Sequence, residues 1–146
     1  MNTPTHRTAS LVTLGAALVR DVRGPSRGQE PKRRLAAVMV DSGGNPGASM
    51  RMDGAQLVAM PLAINKAYTS VACSLPTETW GPGSEPGGLD WGLALSVAGR
   101  FFVFAGGLLL RSDGALVGGI AVSGAAATAD RACTSAGLQS AGFDEV

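Results

Sequence analysis

The sequence predicts an α+β domain: one five-stranded antiparallel sheet packed by helices. Three observations carry this. The chain has 146 residues, the usual size of one domain built on one core. Its helix-like and strand-like stretches follow in the order α, β-β, α, β-β-β, α, with no βαβ repeat that would indicate a parallel sheet. Two turn signals, "SGGNP" at 42–46 and Ser112-Asp113-Gly114, each join two apolar runs as a hairpin does.

The elements follow in order. After a short tail at residues 1–6, Leu11, Leu14, Leu18 and Val22 recur at helical spacing and predict a short amphipathic helix. The run "LVTLGAALV" imitates a signal-peptide core, but no small-residue cleavage site follows it, so the helix is preferred. "RGPSRGQEP" (23–31) is a polar connector. "LAAVMVD" (35–41) reads as a central strand, and "GASMRM" (47–52) alternates, with Ala48, Met50 and Met52 on one face and Ser49 and Arg51 on the other.

A helix is expected next, to about Ser74. Leu57, Met60, Pro61, Ile64, Tyr68, Val71 and Leu75 share one side of it, which is the expected core stripe. Pro61 requires that the regular helix start near it or kink there, and Asp53 stands upstream as a candidate cap. Residues 76–99 are Gly/Pro-marked and hold both tryptophans, Trp80 and Trp91, as a lid or interface loop would. "RFFVF" (100–104) reads as an aromatic strand, "GGLLLRSDGALVGGIAVSG" as a second hairpin, and "AAATADRACTSAGLQSAGF" as a helix closing on Gly142. One domain over 1–146 is the expectation.

Composition excludes more than it assigns. A net charge of +1 gives no footprint for nucleic acid or an anionic membrane, and Lys32-Arg33-Arg34 reads as a solvated strand entrance. No uninterrupted apolar stretch is long enough to span a bilayer. Cys73 and Cys133 form neither a disulfide framework nor a zinc spacing, so the cytoplasm is the expected compartment. His6, the single histidine, lies in the tail, which leaves the folded part without a histidine-based metal site or Ser-His-Asp triad. No metal ligands are assigned.

Lys66 stands opposite the expected stripe. A helix face made for water carries several charges, yet the residues sharing its side are Ala59, Ala63, Ser70 and Cys73. That pattern fits a pocket wall or a second packing surface as well as plain solvation.

The motifs "VMVDSGGNPGASMRMDGA", "NKAYTSVA", "GGLLLRSDGALVGGIAVSG" and "DRACTSAGL" resemble the signatures of the GlcG/HbpS-like (haem-degrading domain) family, from about Leu35 to Leu138. The resemblance implies a profilin-like αβα fold and assembly into dimers or larger rings. Carried over by position, it implies pocket or interface residues at Arg51, Asp53, Lys66, Thr69, Gly106, Gly107, Arg111, Ser123, Gly124 and Asp130. Departures stand at Leu109, where the family has proline, and at Ala121, where it has glycine.

Three functions follow from the resemblance. The first is a small-molecule-binding protein for haem or another planar cyclic ligand, held in a pocket or at a subunit interface, with Arg51, Lys66 and Arg111 pairing carboxylates. The second is a cofactor-independent isomerase, cyclase or hydrolase acting on a cyclic or aromatic metabolite, with Lys66 or Asp53 as acid/base and amides near Gly107 or Gly124 holding an oxyanion. The third is an assembly subunit with no ligand. Haem is the one cofactor implied, set against the absence of any histidine in the matched region.

Overall fold

The computed structural model describes residues 34–143. The expected N-terminal helix, the connector and His6 lie outside the described residues.

Strand β1 (Ala36–Asp41) pairs antiparallel with β2 (Pro46–Arg51), with Ala36 opposite Arg51 and a bulge between Met39 and Val40. The turn between them is tied by Asp41, whose Oδ1 accepts the backbone N–H of Gly43 at 2.8 Å and of Asn45 at 2.9 Å. The Asn45 N–H, foremost among these bonds, holds the Asp41 carboxyl below its ordinary range.

Helix α1 (Ala59–Cys73) starts without a side-chain cap. Asp53 is exposed in the preceding turn and does not serve as the cap. Pro61 falls in the first turn, where the missing N–H would have had no intrahelical partner, so the helix runs on unbroken. Its end is set by Ser74, in the left-handed region at φ 54°.

The face that α1 buries is not the expected one. Ala59, Ala63, Lys66, Ala67, Thr69, Ser70 and Val71 are buried, whereas Leu57 is 82% exposed and Pro61 is exposed. Of the expected stripe only Val71 is buried. Glycines in the sheet explain the reversal. A Cβ on Gly107 would stand 2.5 Å from the Lys66 carbonyl oxygen, and one on Gly119 would stand 2.7 Å from that of Ala67. The helix backbone lies against strand backbone, and only small side chains fit between them.

Strands β3 (Gly107–Ser112) and β4 (Ala115–Ser123) form the second hairpin. Asp113 at φ 51° and Gly114 at φ 76° make the two-residue turn with both central residues left-handed, as the sequence signal requires. The sheet is antiparallel throughout, in the order β2-β1-β4-β3.

It has four described strands, not the five expected. "RFFVF" is not a strand, because its backbone is claimed by side chains. Thr69 Oγ1 accepts the Phe102 N–H at 2.9 Å and donates to the Arg100 carbonyl at 3.2 Å. Thr77 Oγ1 donates to the Phe104 carbonyl at 2.7 Å and accepts the Gly107 N–H at 3.0 Å. Two buried hydroxyls replace a strand ladder.

Helix α2 (Ala127–Ser140) covers the opposite face, where Met39, Leu108, Leu110, Ile120 and Leu138 form a core. The α1 side holds Ala36, Val38, Val40 and Ala121 against Ala59, Ala63 and Ala67. Alternation along β1 thus feeds two cores, giving an α+β sandwich with helices on both faces.

Candidate functional site

At one end of the sheet, where β1 begins and β4 ends, Ala36 stands between Arg51 and Ser123 in register. Ser123 is buried and Arg51 exposed. Beside them the chain enters β3 through Gly106 and leaves β4 through Gly124, both in backbone conformations reserved for glycine, at φ 124° and 128°. Into this gap runs Lys66. Its ammonium is 2.7 Å from Asp130 Oδ2 and donates to the Val122 carbonyl at 3.3 Å, and the residue is 2% exposed. Asp130, equally buried in the first turn of α2, accepts the Ala125 N–H on its other oxygen at 3.0 Å.

Thr134 completes the cluster, accepting the Val122 N–H at 3.2 Å and lying 2.8 Å from the Gly106 carbonyl. A Cβ on Gly106 would stand 3.0 Å from Lys66 Nζ and 3.1 Å from Asp130 Cβ. The signature glycine there makes room for the ion pair. Lys66 and Asp130 therefore link helices on opposite faces of the sheet, and removing one partner would strand a buried charge, at about 3–5 kcal/mol.

The other residues implied by resemblance are dispersed. Gly107 abuts the Lys66 backbone and Thr77. Thr69 fixes segment 100–102 by the bonds above. Arg111 lies four residues along β3 from Gly107, roughly 13 Å away, where its guanidinium donates to the Gly114 carbonyl at 3.3 Å. Asp53 makes no hydrogen bond or ion pair with any described residue. Lys66, Gly106, Gly107 and Asp130 come together. Arg111 does not join them.

A second constellation lies on the outside of α1. Arg100 places its guanidinium carbon 3.6 Å from the centroid of the Tyr68 ring. Gly44, in the β1–β2 turn, lies against another edge of that ring, where a Cβ would stand 2.7 Å from it. Along the same segment, Phe101 is buried with Trp80 packed edge-on at 5.5 Å, while the Phe102 and Phe104 ring centroids lie 5.1 Å apart with their planes tilted by 57° and Phe104 is 58% exposed. Trp91, the other loop tryptophan, is exposed. Glu78 pairs with Arg131, tying the loop to α2. The outer surface of α1 carries no charge at all, since Lys66, its single charged residue, is buried. Sequence reasoning passed over Arg100 and assigned Tyr68 to the core; the signal available was the lack of any charge but Lys66 along 54–76.

Among the described residues no group of His, Cys, Asp and Glu is placed to hold a metal ion, and no helix is long and apolar enough to cross a membrane. Burial pushes the Cys73 thiol up, away from the thiolate that a metal would take.

Comparison with known proteins places this geometry. The chain is 34% identical over 104 residues to the corrinoid adenosyltransferase PduO of Salmonella typhimurium, covering 71% of this chain and 31% of that protein's length. The fold superposes on Klebsiella pneumoniae protein ORFY with a TM-score of 0.82 at 25% identity, over 94% of this chain and 91% of the other. It also superposes on a PduOC:heme complex with a TM-score of 0.79 at 24% identity, over 99% of each chain, a likeness of fold. Residues 12–139 match the family model for haem degrading protein HbpS-like, and on that span the chain belongs to the HbpS-like family.

Proposed function

We propose that this protein binds a planar cyclic small molecule, haem or a compound of similar shape, against the outer face of α1 and the aromatic segment 100–104. One observation carries the reading: Phe104, 58% exposed and backed by the half-buried, tilted Phe102, offers an aromatic shelf beside a helix surface without charge. Such a surface favours a flat apolar ligand over water. Family membership supports it, as does the haem held by a protein of the same fold. The same uncharged surface supports association of copies of the chain, so the ligand would lie at or near a subunit interface.

The residues fit a ring better than its iron. The described part contains no histidine, and the Cys73 thiol is held protonated. Haem would therefore be gripped by its face and edge, with no histidine or thiolate from the described residues on its iron. Proton transfer by Lys66 or Asp53 draws less support, since Lys66 is engaged by Asp130 and Asp53 stands exposed in a turn.

Titration with hemin and with iron-free protoporphyrin IX tests this, read by the Soret band and by quenching of Trp80 and Trp91. Both are expected to saturate at one per chain, with affinities within about tenfold of each other, a difference of about 1.4 kcal/mol. Binding of hemin alone would show that iron ligation drives recognition and would overturn the shelf reading. Binding of neither would end it.

A further inference from the structure

Six cations are described: Arg34, Arg51, Lys66, Arg100, Arg111 and Arg131. Lys66 is spent on Asp130 and Arg131 on Glu78, Arg111 donates through Nη1 to its own hairpin turn while its Nε is buried without a hydrogen-bond partner, and Arg34 and Arg51 are exposed. Arg100 differs. Its guanidinium makes no hydrogen bond or ion pair with any described residue, yet it is held in place. The Tyr68 ring supports one face of it at 3.6 Å, and Thr69 Oγ1 fixes its backbone carbonyl at 3.2 Å. Tyr68 is in turn braced by Gly44. No carboxylate shares α1 to neutralise it, and Asp41, in the turn that supplies Gly44, is occupied by Gly43 and Asn45.

We infer that Arg100 is the carboxylate anchor of the ligand site: it pairs with an acid group on the edge of a planar ring whose face lies on the exposed Phe104. This rests on the proposed function and narrows it to planar ligands that carry a carboxylate. The chemistry follows from the stack. A guanidinium lying on an aromatic ring points its N–H donors outward in its own plane, the geometry that a carboxylate meets with two parallel hydrogen bonds. Stacking has already fixed the side chain and removed water from one face, so little ordering remains when the ligand arrives. Arg100 and Phe104 are four residues apart, at most about 14 Å along the chain, so ring and carboxylate belong to one molecule. Arg100 is half-buried, which strengthens the pairing over that of a fully solvated arginine.

The test compares protoporphyrin IX with its dimethyl ester, delivered in the same mild detergent, on the wild type, Arg100→Gln and Arg100→Lys. The ester keeps the ring and loses the charges. Arg100→Gln is expected to weaken the free acid about 10- to 100-fold while leaving the ester unchanged. Arg100→Lys recovers little of this, because an ammonium neither stacks flat nor binds in two places. Equal weakening of acid and ester, or no change in either, would overturn the assignment while the wild type's binding of both leaves the planar-ligand reading in place. A wild type that binds neither ends both. If Arg100→Gln alters the sedimentation of the free protein and leaves the acid-to-ester ratio untouched, the cation serves a contact between copies, and the proposal fails.

Discussion

The two faces of α1 invert the usual arrangement. Inward, it offers Ala59, Ala63, Ala67 and Ser70 with one lysine, and every polar group there is paired: Ser70 Oγ bonds the Leu108 carbonyl at 3.1 Å, and Lys66 has Asp130. Outward, it and the loop beside it show Leu57, Pro61, Tyr68 and Phe104, with a cation, Arg100, stacked on Tyr68 but without an ion-pair partner among the described residues. The inner face is closed chemically and the outer one is open. Small residues were used where backbones must touch, and large apolar ones where something else can be received.

If the inner face is closed, breaking it costs most at the ion pair. Lys66→Met should lower unfolding free energy by about 3–5 kcal/mol, measured by denaturant melts, because Asp130 is left buried and alone. The double variant Lys66→Met, Asp130→Leu should recover much of that loss. A single substitution costing under about 1 kcal/mol would show the pair to be wetter than its burial implies.

Next in size is the contrast between the faces themselves. Gly119→Ala puts a methyl 2.7 Å from the Ala67 carbonyl and 2.6 Å from Val71 Cγ2. It should cost about 1–3 kcal/mol. Leu57→Ser, on the open side, should move stability by no more than about 0.5 kcal/mol. Equal costs would erase the distinction.

The smallest effect lies outside both faces, at the Asp41 turn. A carboxyl held below its ordinary value of 3.8 adds stability above the unfolded range and loses it as pH falls through the lower folded value. Asp41→Asn should therefore flatten the acid limb of the stability curve below about pH 4, with its small loss of stability showing at neutral pH, where the carboxylate contributes, and vanishing in acid. An acid limb unaltered by the substitution would show that the turn bonds survive protonation.

What the sequence disclosed was whatever is decided locally. Asp113-Gly114 demands its turn from two residues alone, and both hairpins follow. The extent of α1 was readable too, Pro61 included. Its facing was not, because periodicity reports where apolar groups lie, whereas the helix docks where Gly107 and Gly119 permit approach, dozens of positions away. "RFFVF" has a strand's composition and lost its ladder to Thr69 and Thr77, two hydroxyls on other elements. The site divides in the same way. Family motifs led to Lys66, Gly106 and Asp130, which do meet, but Arg100 on Tyr68 joins residues with no motif between them.

The Lys66–Asp130 contact closes a separation of 64 residues and sits beyond the last strand to be made. During synthesis, the lysine waits through both strands of the second hairpin before its counter-ion exists. A partly made or truncated chain ending before α2 has a sheet and a covering helix, yet must either hydrate that ammonium or hold it unpaired. The pair thus forms only in a chain that has delivered α2, and until then the α1 side of the sheet lacks that closing contact.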